Sequence, residues 1–408
     1  MVCRFCSKTI DHKFADLGNT AISNAFVNED QLNEAELIYP LRVFVCDNCF
    51  LVQVEEYKKS EDIFSSDYVY FSSVSNSWLQ HSKRYVEMII PKFGLNEQSL
   101  VTEIASNDGY LLQYFKQRNI PCIGIEPTNS TAQIAIKKEI ETLTEFFDEK
   151  LAKKLAKEGK KSDLIIGNNV LAHVPGLNDF VRGLKIILKP RGIMTFEFPH
   201  LMKLIENGQF DTIYHEHFSY FSFYFVCKLF RFHGFEIFDV EQLDTHGGSL
   251  RIYIKHKENE TIPLERSTRE LFKAELEAGV KKLSFYEGFH NKIDEIKNKF
   301  LVYILSEKIK GKKIIGFGAA AKGNTFFNYA GLKDDTIECI VDDTPFKQGR
   351  YTPQSHIPVV SREYFKNNHP DIIIIIPWNF KCEIKEKLQF TKEWGAKFVT
   401  YIPTLEVN

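Results

Sequence analysis

Four cysteines within the first 49 residues constrain this chain more than any other feature. They come as two CxxC pairs, Cys3-x-x-Cys6 and Cys46-x-x-Cys49, with 39 residues between them. Each pair forms one tight knuckle that offers two thiolates, and two knuckles complete the tetrahedral thiolate set that zinc prefers. In a reducing compartment such pairs read as a metal site rather than as disulfides. Four thiolates leave no open coordination position, so the expected zinc is structural and not catalytic. His12 lies near the first pair, but its spacing from Cys6 fits no standard knuckle. Residues 1–75 show short extended pieces such as Leu41–Val45 and little regular helix, and a small unit without a deep core needs a staple of this kind. The other four cysteines, Cys122, Cys227, Cys339 and Cys382, stand singly in apolar surroundings and read as buried structural thiols.

From Leu100 the texture changes. Val101–Ala105 reads as a strand, Ser106–Gly109 as a turn and Tyr110–Arg118 as a helix. Cys122–Glu126 is a second strand, Ile140–Leu143 a short third and Asp163–Asn168 a fourth, and a helical stretch over Phe180–Leu188 leads into Gly192–Glu197. Strands alternating with helices predict a parallel sheet with helices on both faces. Residues 258–310 are rich in Glu and Lys, with Phe272, Leu276, Val280 and Leu283 at helical spacing. They read as one or two long amphipathic helices whose charges form a solvated face. A second α/β unit starts at Lys312–Gly318 and continues through Thr336–Asp342, Asp371–Pro377 and Ala396–Tyr401. At roughly 100–200 residues per domain, a chain of this length predicts two to four domains. The expected division is 1–75, 76–257, a helical linker 258–310, and 311–408.

Charge excludes some partners. Lys plus Arg number 52 against 54 Asp plus Glu, a net charge of −2, with no basic stripe to bind nucleic acid. No apolar run reaches the roughly 18 residues of a membrane helix. Neither a signal peptide nor a lipidation motif opens the chain, so the expectation is a cytosolic protein.

Several segments carry chemistry. Glu103-x-Ala105-x-Asn107-Asp108-Gly109 ends a strand in a turn that offers backbone amides and a helix N-terminus. It resembles the first motif of class I S-adenosylmethionine (SAM) methyltransferases, with Ala105 where a glycine is usual. Glu126, 23 residues on, stands where such enzymes carry the acid that holds the ribose hydroxyls. Asn168–Pro175 follows a strand and should face the pocket, as ligands in open α/β sheets sit at carboxyl ends. Without further context, His173 in this loop reads first as a satisfied loop histidine. Asp211–Tyr220 packs Tyr214, His215, Glu216 and His217 together, which gives proton-transfer groups and a phenol able to donate to an oxyanion. Spacing alone leaves metal binding open, although no HExxH pattern accompanies it. Thr245-His246-Gly247-Gly248-Ser249-Leu250-Arg251 puts two glycines where backbone approaches something closely. It resembles the HGG oxyanion loop of esterases, but no GxSxG elbow exists to use it.

Taken together, these segments resemble the SAM-dependent C-methyltransferases of nucleotide-linked keto-deoxysugars. The resemblance runs through the paired CxxC knuckles, Asp67–Ser73, Glu103–Gly109, Asn168–Pro175, Phe210–His217, Thr245–Arg251 and Gly318–Thr325, in that order. It implies a small N-terminal zinc domain, a class I methyltransferase Rossmann-like core and a second, C-terminal Rossmann-like domain that binds sugar nucleotide. It further implies deprotonation of a carbon next to a ketone, attack on the SAM methyl group, and a monomer. On the cofactor side it assigns Glu126 to the ribose, Glu103, Ala105, Asn107 and Gly109 to the methionine end with Asn168 close by, and Phe146 or Phe147 to the adenine. For the proton transfer it assigns His217 as base and Tyr214 as the group near the carbonyl, with Glu216 and His173 in support. Tyr68 would close the pocket from the zinc domain.

Two rival readings come from other classes. Gly316-x-Gly318-x-x-Ala321 fits the dinucleotide fingerprint, with Asp342 24 residues beyond Gly318. That pattern suits an NAD(P)-dependent sugar-nucleotide oxidoreductase or a second cofactor site; a non-catalytic nucleotide-sugar-binding protein is the other alternative. Lys322, directly after the turn, suits phosphates as a point charge. Asn324, Asp342, Lys347, Arg350 and Tyr351 then complete the expected sugar-nucleotide contacts.

Overall fold

The computed structural model describes residues 1–59, 63 and 71–408, so the expectation for Tyr68 lies outside the described residues. Among the described residues the strands form three sheets of four, seven and six strands.

The N-terminal sheet is antiparallel and runs Lys13–Thr20, Tyr39–Val45, Val52–Val54 and Ser219–Tyr220. Alternation drives it: Leu41, Val43 and Val45 turn inward, as a half-buried strand requires. Its fourth strand comes from the middle of the chain, pairing Val52 with Tyr220 and Gln53 with Ser219. The apolar face shares one core with Leu204, Phe210 and Ile213 and with Phe289 and Ile293 of the helix Phe289–Ile309. Phe14 stacks on Phe289 there at 4.4 Å.

The central sheet has the order Phe235–Leu243, Ser249–His256, Leu188–Pro199, Ser162–Asn168, Val101–Ile104, Cys122–Ile125, Glu141–Leu143. Ser249–His256 runs antiparallel to both its neighbours, and the remaining strands are parallel. The inner strands are apolar on both faces because helices cover both. Ile104, Ile125 and Ile165 face Leu151, Leu155, Phe180 and Leu184 on one side. Val101, Leu164 and Ile166 face Tyr85, Ile89, Leu112 and Phe115 on the other.

The C-terminal sheet runs Val359–Val360, Ile340–Val341, Ile314–Phe317, Ile372–Ile375, Lys397–Thr400 and Glu406–Val407, with only the last strand reversed. Between the second and third sheets come the helices Arg266–Ala278 and Phe289–Ile309. Their charge run is not wholly a solvated face. Glu275 is 1% exposed and accepts from the Phe223 and Tyr224 amides (2.7 and 2.6 Å) and meets His200 Nε2 at 2.7 Å. It thereby satisfies open amides at the start of the helix Phe223–Phe232. The lone cysteines also differ from expectation. Cys339 is buried, Cys122 and Cys227 are half-buried, and Cys382 is exposed on the short helix Lys381–Lys387.

The Thr245–Arg251 segment is the hairpin turn that joins the last two strands of the central sheet. Its two ends are tied to one fully buried carboxylate, Glu197, which accepts from Thr245 Oγ1 (2.9 Å), Arg251 (2.8 Å) and His81 (2.8 Å). Burial alone would raise this carboxyl, yet His81 and Arg251 hold it below its ordinary range. Removing one partner of such a pair strands the other, at a cost of about 3–5 kcal/mol. Glu197→Ala is therefore expected to lose about that much unfolding free energy in denaturant titrations.

Candidate active site

Both doubly wound sheets open their carboxyl ends onto one cavity of about 380 Å³. From the central sheet it receives Ile104, Ala105, Asn168 and Pro199, and from the C-terminal sheet Ala320, Lys322 and Pro377. In each sheet these residues follow strands between which the strand order reverses, where open α/β sheets bind ligands.

On the central side the turn after Val101–Ile104 holds left-handed backbone at Ala105 (φ 56°) and Asn107 (φ 50°). A glycine adopts this without cost; alanine keeps the same path with roughly 1 kcal/mol of strain. Glu126 is 4% exposed, and each carboxylate oxygen accepts one backbone amide, from Asn107 and from Thr128, both at 2.9 Å. The Thr128 and Thr131 side chains also bond this carboxylate, which borders the cavity where it can meet ribose hydroxyls. Burial raises this carboxyl despite those bonds. Asn168 is 7% exposed and lines the cavity, with neither amide atom bonded among the described residues. Phe146 and Phe147 form a wall beside it. An amide with neither atom bonded among the described residues, a buried carboxylate at the cavity wall and an aromatic wall fit SAM. Glu103 and Gly109 do not line the cavity. Glu103 is fully buried, and burial pushes its carboxyl well above the usual range. Gly109 (φ 73°) packs outward, where a Cβ would meet Ile140 at 2.6 Å and Ala135 at 3.2 Å.

The segment Phe210–Phe221 carries the residues expected to transfer the proton. His217 Nδ1 faces the Thr212 carbonyl at 2.8 Å and must donate to it, so the neutral ring carries its lone pair on Nε2. That lone pair accepts the Tyr214 hydroxyl at 2.9 Å. The His173 ring lies 4.7 Å away and donates from Nδ1 to the Glu216 carbonyl (2.7 Å). Burial, with His173 next, holds His217 well below 6.5, and burial brings His173 down to about 4. Tyr214, His217 and His173 line the cavity; Glu216 stands behind them, fully buried, accepting from Asn24 Nδ2 at 3.1 Å. Burial pushes the Glu216 carboxyl up to about 7. His215 turns away to the Pro40 carbonyl (3.2 Å) on the N-terminal sheet.

On the C-terminal side Lys322 and Lys347 line the cavity. Lys322 Nζ donates to Asn379 Oδ1 (2.8 Å) and lies 4.5 Å from the Trp378 ring centre, and burial lowers its ammonium group. Lys347 Nζ donates to the Ala319 carbonyl (2.8 Å), and burial lowers it too. The other expected contacts face elsewhere. Asn324 Nδ2 donates to the Ser23 carbonyl (2.6 Å), and Tyr351 pairs by backbone with Val27 (2.9 and 2.8 Å). Arg350 is half-buried outside the cavity lining. Asp342 accepts the Ala319 and Thr344 amides (2.6 and 2.7 Å), so the carboxylate read as a cofactor ribose ligand is engaged by its own loop. Gly318 is needed for packing, since a Cβ there would meet Pro377 at 2.7 Å.

Sequence reading passed over several cavity residues: Asn24, Trp78, Asn169, His246 and Asn379. Two of these had a signal: Asn169 lies in the loop expected to face the pocket, and His246 is followed by two glycines. They let the turn pass Trp378 and Lys203, at 2.4 and 2.6 Å from where a Cβ would stand, and hold His246 at φ 54° against Asn169 (3.1 Å).

The second cysteine knuckle lies in the connection between Tyr39–Val45 and Val52–Val54, the two inner strands of the N-terminal sheet. Cys3 and Cys49 sulfurs lie 3.5 Å apart, Cys6 and Cys46 3.6 Å, and all four ligand atoms within 4.8 Å of one another. Sulfurs about 2.3 Å from a central zinc form a tetrahedron with edges of about 3.8 Å, so the spacing fits. Neighbouring thiols favour a first thiolate, bringing Cys3 down to about 3, and penalise a second, pushing Cys49 up. A divalent cation removes that penalty. Gln53 Nε2 donates to Cys3 Sγ at 3.3 Å as an outer support.

Residues 3–64 match the family model of a zinc binding domain, 78–240 that of a methyltransferase domain and 244–403 that of a C-methyltransferase C-terminal domain. The C-methyltransferase NovU of Streptomyces niveus is 29% identical over 403 residues, 98% of this chain and 95% of that one. Among solved structures, the PH0226 protein of Pyrococcus horikoshii OT3 is 16% identical with a TM-score of 0.38, covering 46% of this chain and 95% of its own. A SAM-dependent methyltransferase of Anabaena variabilis ATCC 29413 is 18% identical with a TM-score of 0.35, covering 44% and 89%. The three ordered family matches and the relative that spans the chain make this a SAM-dependent methyltransferase with an N-terminal zinc-binding domain. No helix among the described residues is long and apolar enough to cross a membrane.

Elemental analysis of freshly purified, reduced protein is expected to give about one zinc per chain, as one four-thiolate site requires. Chelation is expected to open residues 1–59 to limited proteolysis while both α/β sheets stay resistant.

Proposed function

We propose that this methyltransferase removes a proton from a carbon next to a ketone of a nucleotide-linked keto-deoxysugar and places the methyl group on that carbon. The observation that carries the reading is the Tyr214–His217 pair facing the same cavity as Asn168 on one wall and Lys322 and Lys347 on the other. A carbon nucleophile needs a base and a group that holds the enolate oxygen. His217 Nε2 is the one lone pair of its ring, with Nδ1 committed to Thr212. Once Nε2 takes the substrate proton it becomes a donor. The Tyr214 hydroxyl then no longer donates to it, and turns its proton to the oxygen that has become anionic. Glu216 and His173 hold this segment from behind. SAM, when bound, supplies a methyl group on a sulfonium, the electrophile a carbanion needs. Glu126 is the ribose ligand in this reading, and Asn168, Ala105 and Asn107 border the methionine part.

The sugar-nucleotide class is supported by the two buried ammonium groups, which suit a diphosphate, and by the substrate class the sequence resemblance implies. The setting we infer is cytosolic, where the four thiols stay reduced. Full-length NovU is named only a C-methyltransferase, so the sugar class is this reading's own.

Glu126→Ala removes the paired acceptor and is expected to weaken SAM binding by about 1–3 kcal/mol in calorimetry. An unchanged affinity places the ribose elsewhere. His217→Asn is expected to stay folded and bind SAM while turnover falls roughly 10²–10⁴-fold, the usual worth of a positioned base. The measurement is mass spectrometry of a panel of nucleotide keto sugars incubated with SAM. Because burial holds His217 neutral below pH 6.5, the acid limb of the wild-type rate profile should fall below that of a free imidazole. Solvent deuterium entering the carbon next to the ketone separates deprotonation from methyl transfer. If the His217→Asn variant exchanges as fast as wild type, the base is another residue and Glu216 is the first to test.

A further inference from the structure

We propose that Arg4, inside the first cysteine knuckle, is a positioning residue for His217, so that the zinc site sets the geometry of the proton acceptor as well as holding its own sheet. Arg4 lies between Cys3 and Cys6 in sequence, and its side chain is only 8% exposed. Its guanidinium donates from one nitrogen to the carbonyl oxygens of Val54 (2.7 Å) and Phe218 (3.1 Å), and lies 5.3 Å from the Phe218 ring centre. Glu56, the nearest carboxylate to it, is 3.5 Å away and 40% exposed. This buried cation is thus spent mainly on two main-chain carbonyls, one of which belongs to the residue after His217.

Phe218 is bonded on every polar side. Its oxygen also accepts the Val54 amide (3.0 Å), and its own amide donates to the Ala172 carbonyl (2.8 Å), beside His173. The knuckle holds Arg4 in turn. The Arg4 amide donates to Gln53 Oε1 (3.0 Å), while Gln53 Nε2 donates to Cys3 Sγ (3.3 Å). Gln53 then pairs with Ser219 across the sheet. Two parallel paths, through Arg4 and through Gln53, therefore join the thiolate cluster to the residues directly after His217. An apolar side chain could fill this space without burying a charge, which often stabilises a fold as well or better. A guanidinium is retained because it alone offers fixed donors to both carbonyls.

The inference deepens the reading of His217 as base, but its deciding readout does not depend on a substrate. Protein labelled with ¹⁵N-histidine reports the tautomer of His217, whose signal is identified by its loss in His217→Asn. Wild type is expected to show the Nδ1–H form fixed by Thr212. Arg4→Met is expected to retain about one zinc per chain, as the intact four-thiolate site holds it, and SAM affinity within twofold. Its His217 signal should shift toward an averaged mixture of tautomers, and turnover should fall at least tenfold with KM within threefold. Arg4→Lys, which restores one charged donor, should recover the wild-type signal in part. Zinc removal from the wild-type chain should produce the same His217 shift, reversed on adding zinc back. An unshifted His217 signal in Arg4→Met, or zinc and SAM binding lost together in both Arg4 variants, overturns the proposal. Failure of His217 as base appears separately, as a His217→Asn enzyme that still turns over.

Discussion

The segment Phe210–Phe221 is bonded to all three sheets, and the site depends on that. Asp211 accepts from Trp378 Nε1 (2.7 Å) and the Tyr401 hydroxyl (3.2 Å), and the Ile213 carbonyl accepts from Thr325 Oγ1 (3.0 Å), all on the C-terminal side. Phe218 donates to Ala172 and Phe221 accepts from the Leu201 amide (3.0 Å), on the central side. Ser219 and Tyr220 close the N-terminal sheet. Irregular backbone so deeply buried would leave donors and acceptors unpaired unless neighbours on every side met them. Each sheet meets some, so none of the three can shift without releasing part of the loop that carries Tyr214 and His217.

Charge follows the same logic. Asp211 and Lys322 are buried near each other with opposite sign: burial raises the carboxyl and lowers the ammonium group, and each partly offsets the other. Trp378 serves both, donating to Asp211 and standing under Lys322. Gly247 exists at the hairpin turn so that this indole can come close. The two glycines, which the sequence placed where backbone approaches something closely, are thus an approach to Trp378 and to Lys203. The ligand-facing member of that turn is the histidine before them.

What the sequence revealed and what it hid divide along physical lines. Ile372–Ile375 is a continuous apolar run and Ser162–Asn168 carries Leu164–Ile166 at its centre, and burial on both faces leaves that trace directly. The cysteine cluster was legible because metal geometry fixes ligand type and local spacing. Ser219–Tyr220 was not: a strand of two residues has no period, and its place comes from Val52 and Gln53 far along the chain. Thr336–Asp342 read as a longer strand, but amides at Thr336 and Ile337 close back on Lys333, leaving only Ile340–Val341 to pair. Glu275 looked like one more surface charge in a charged helix, and only the neighbouring helix start explains its burial. Asn24 and Trp78 reach the cavity through tertiary packing that no local pattern records.

Burial gives His217 a low proton affinity at rest, which at first sight makes it a poor base. The same burial changes the balance once charge develops beside it. Opposite unit charges 4 Å apart attract with about 1 kcal/mol in water and about 4 kcal/mol at an effective dielectric constant near 20. In the reaction proposed above, an imidazolium formed next to an enolate would therefore recover in the transition state what desolvation withholds in the ground state. A solvated histidine, titrating at about 6.5, would be partly protonated at neutral pH and would gain less from the enolate. Keeping His217, His173 and His246 neutral, with one ring nitrogen of His217 fixed on Thr212, leaves a lone pair in place whose basicity appears only with the charge it is meant to meet.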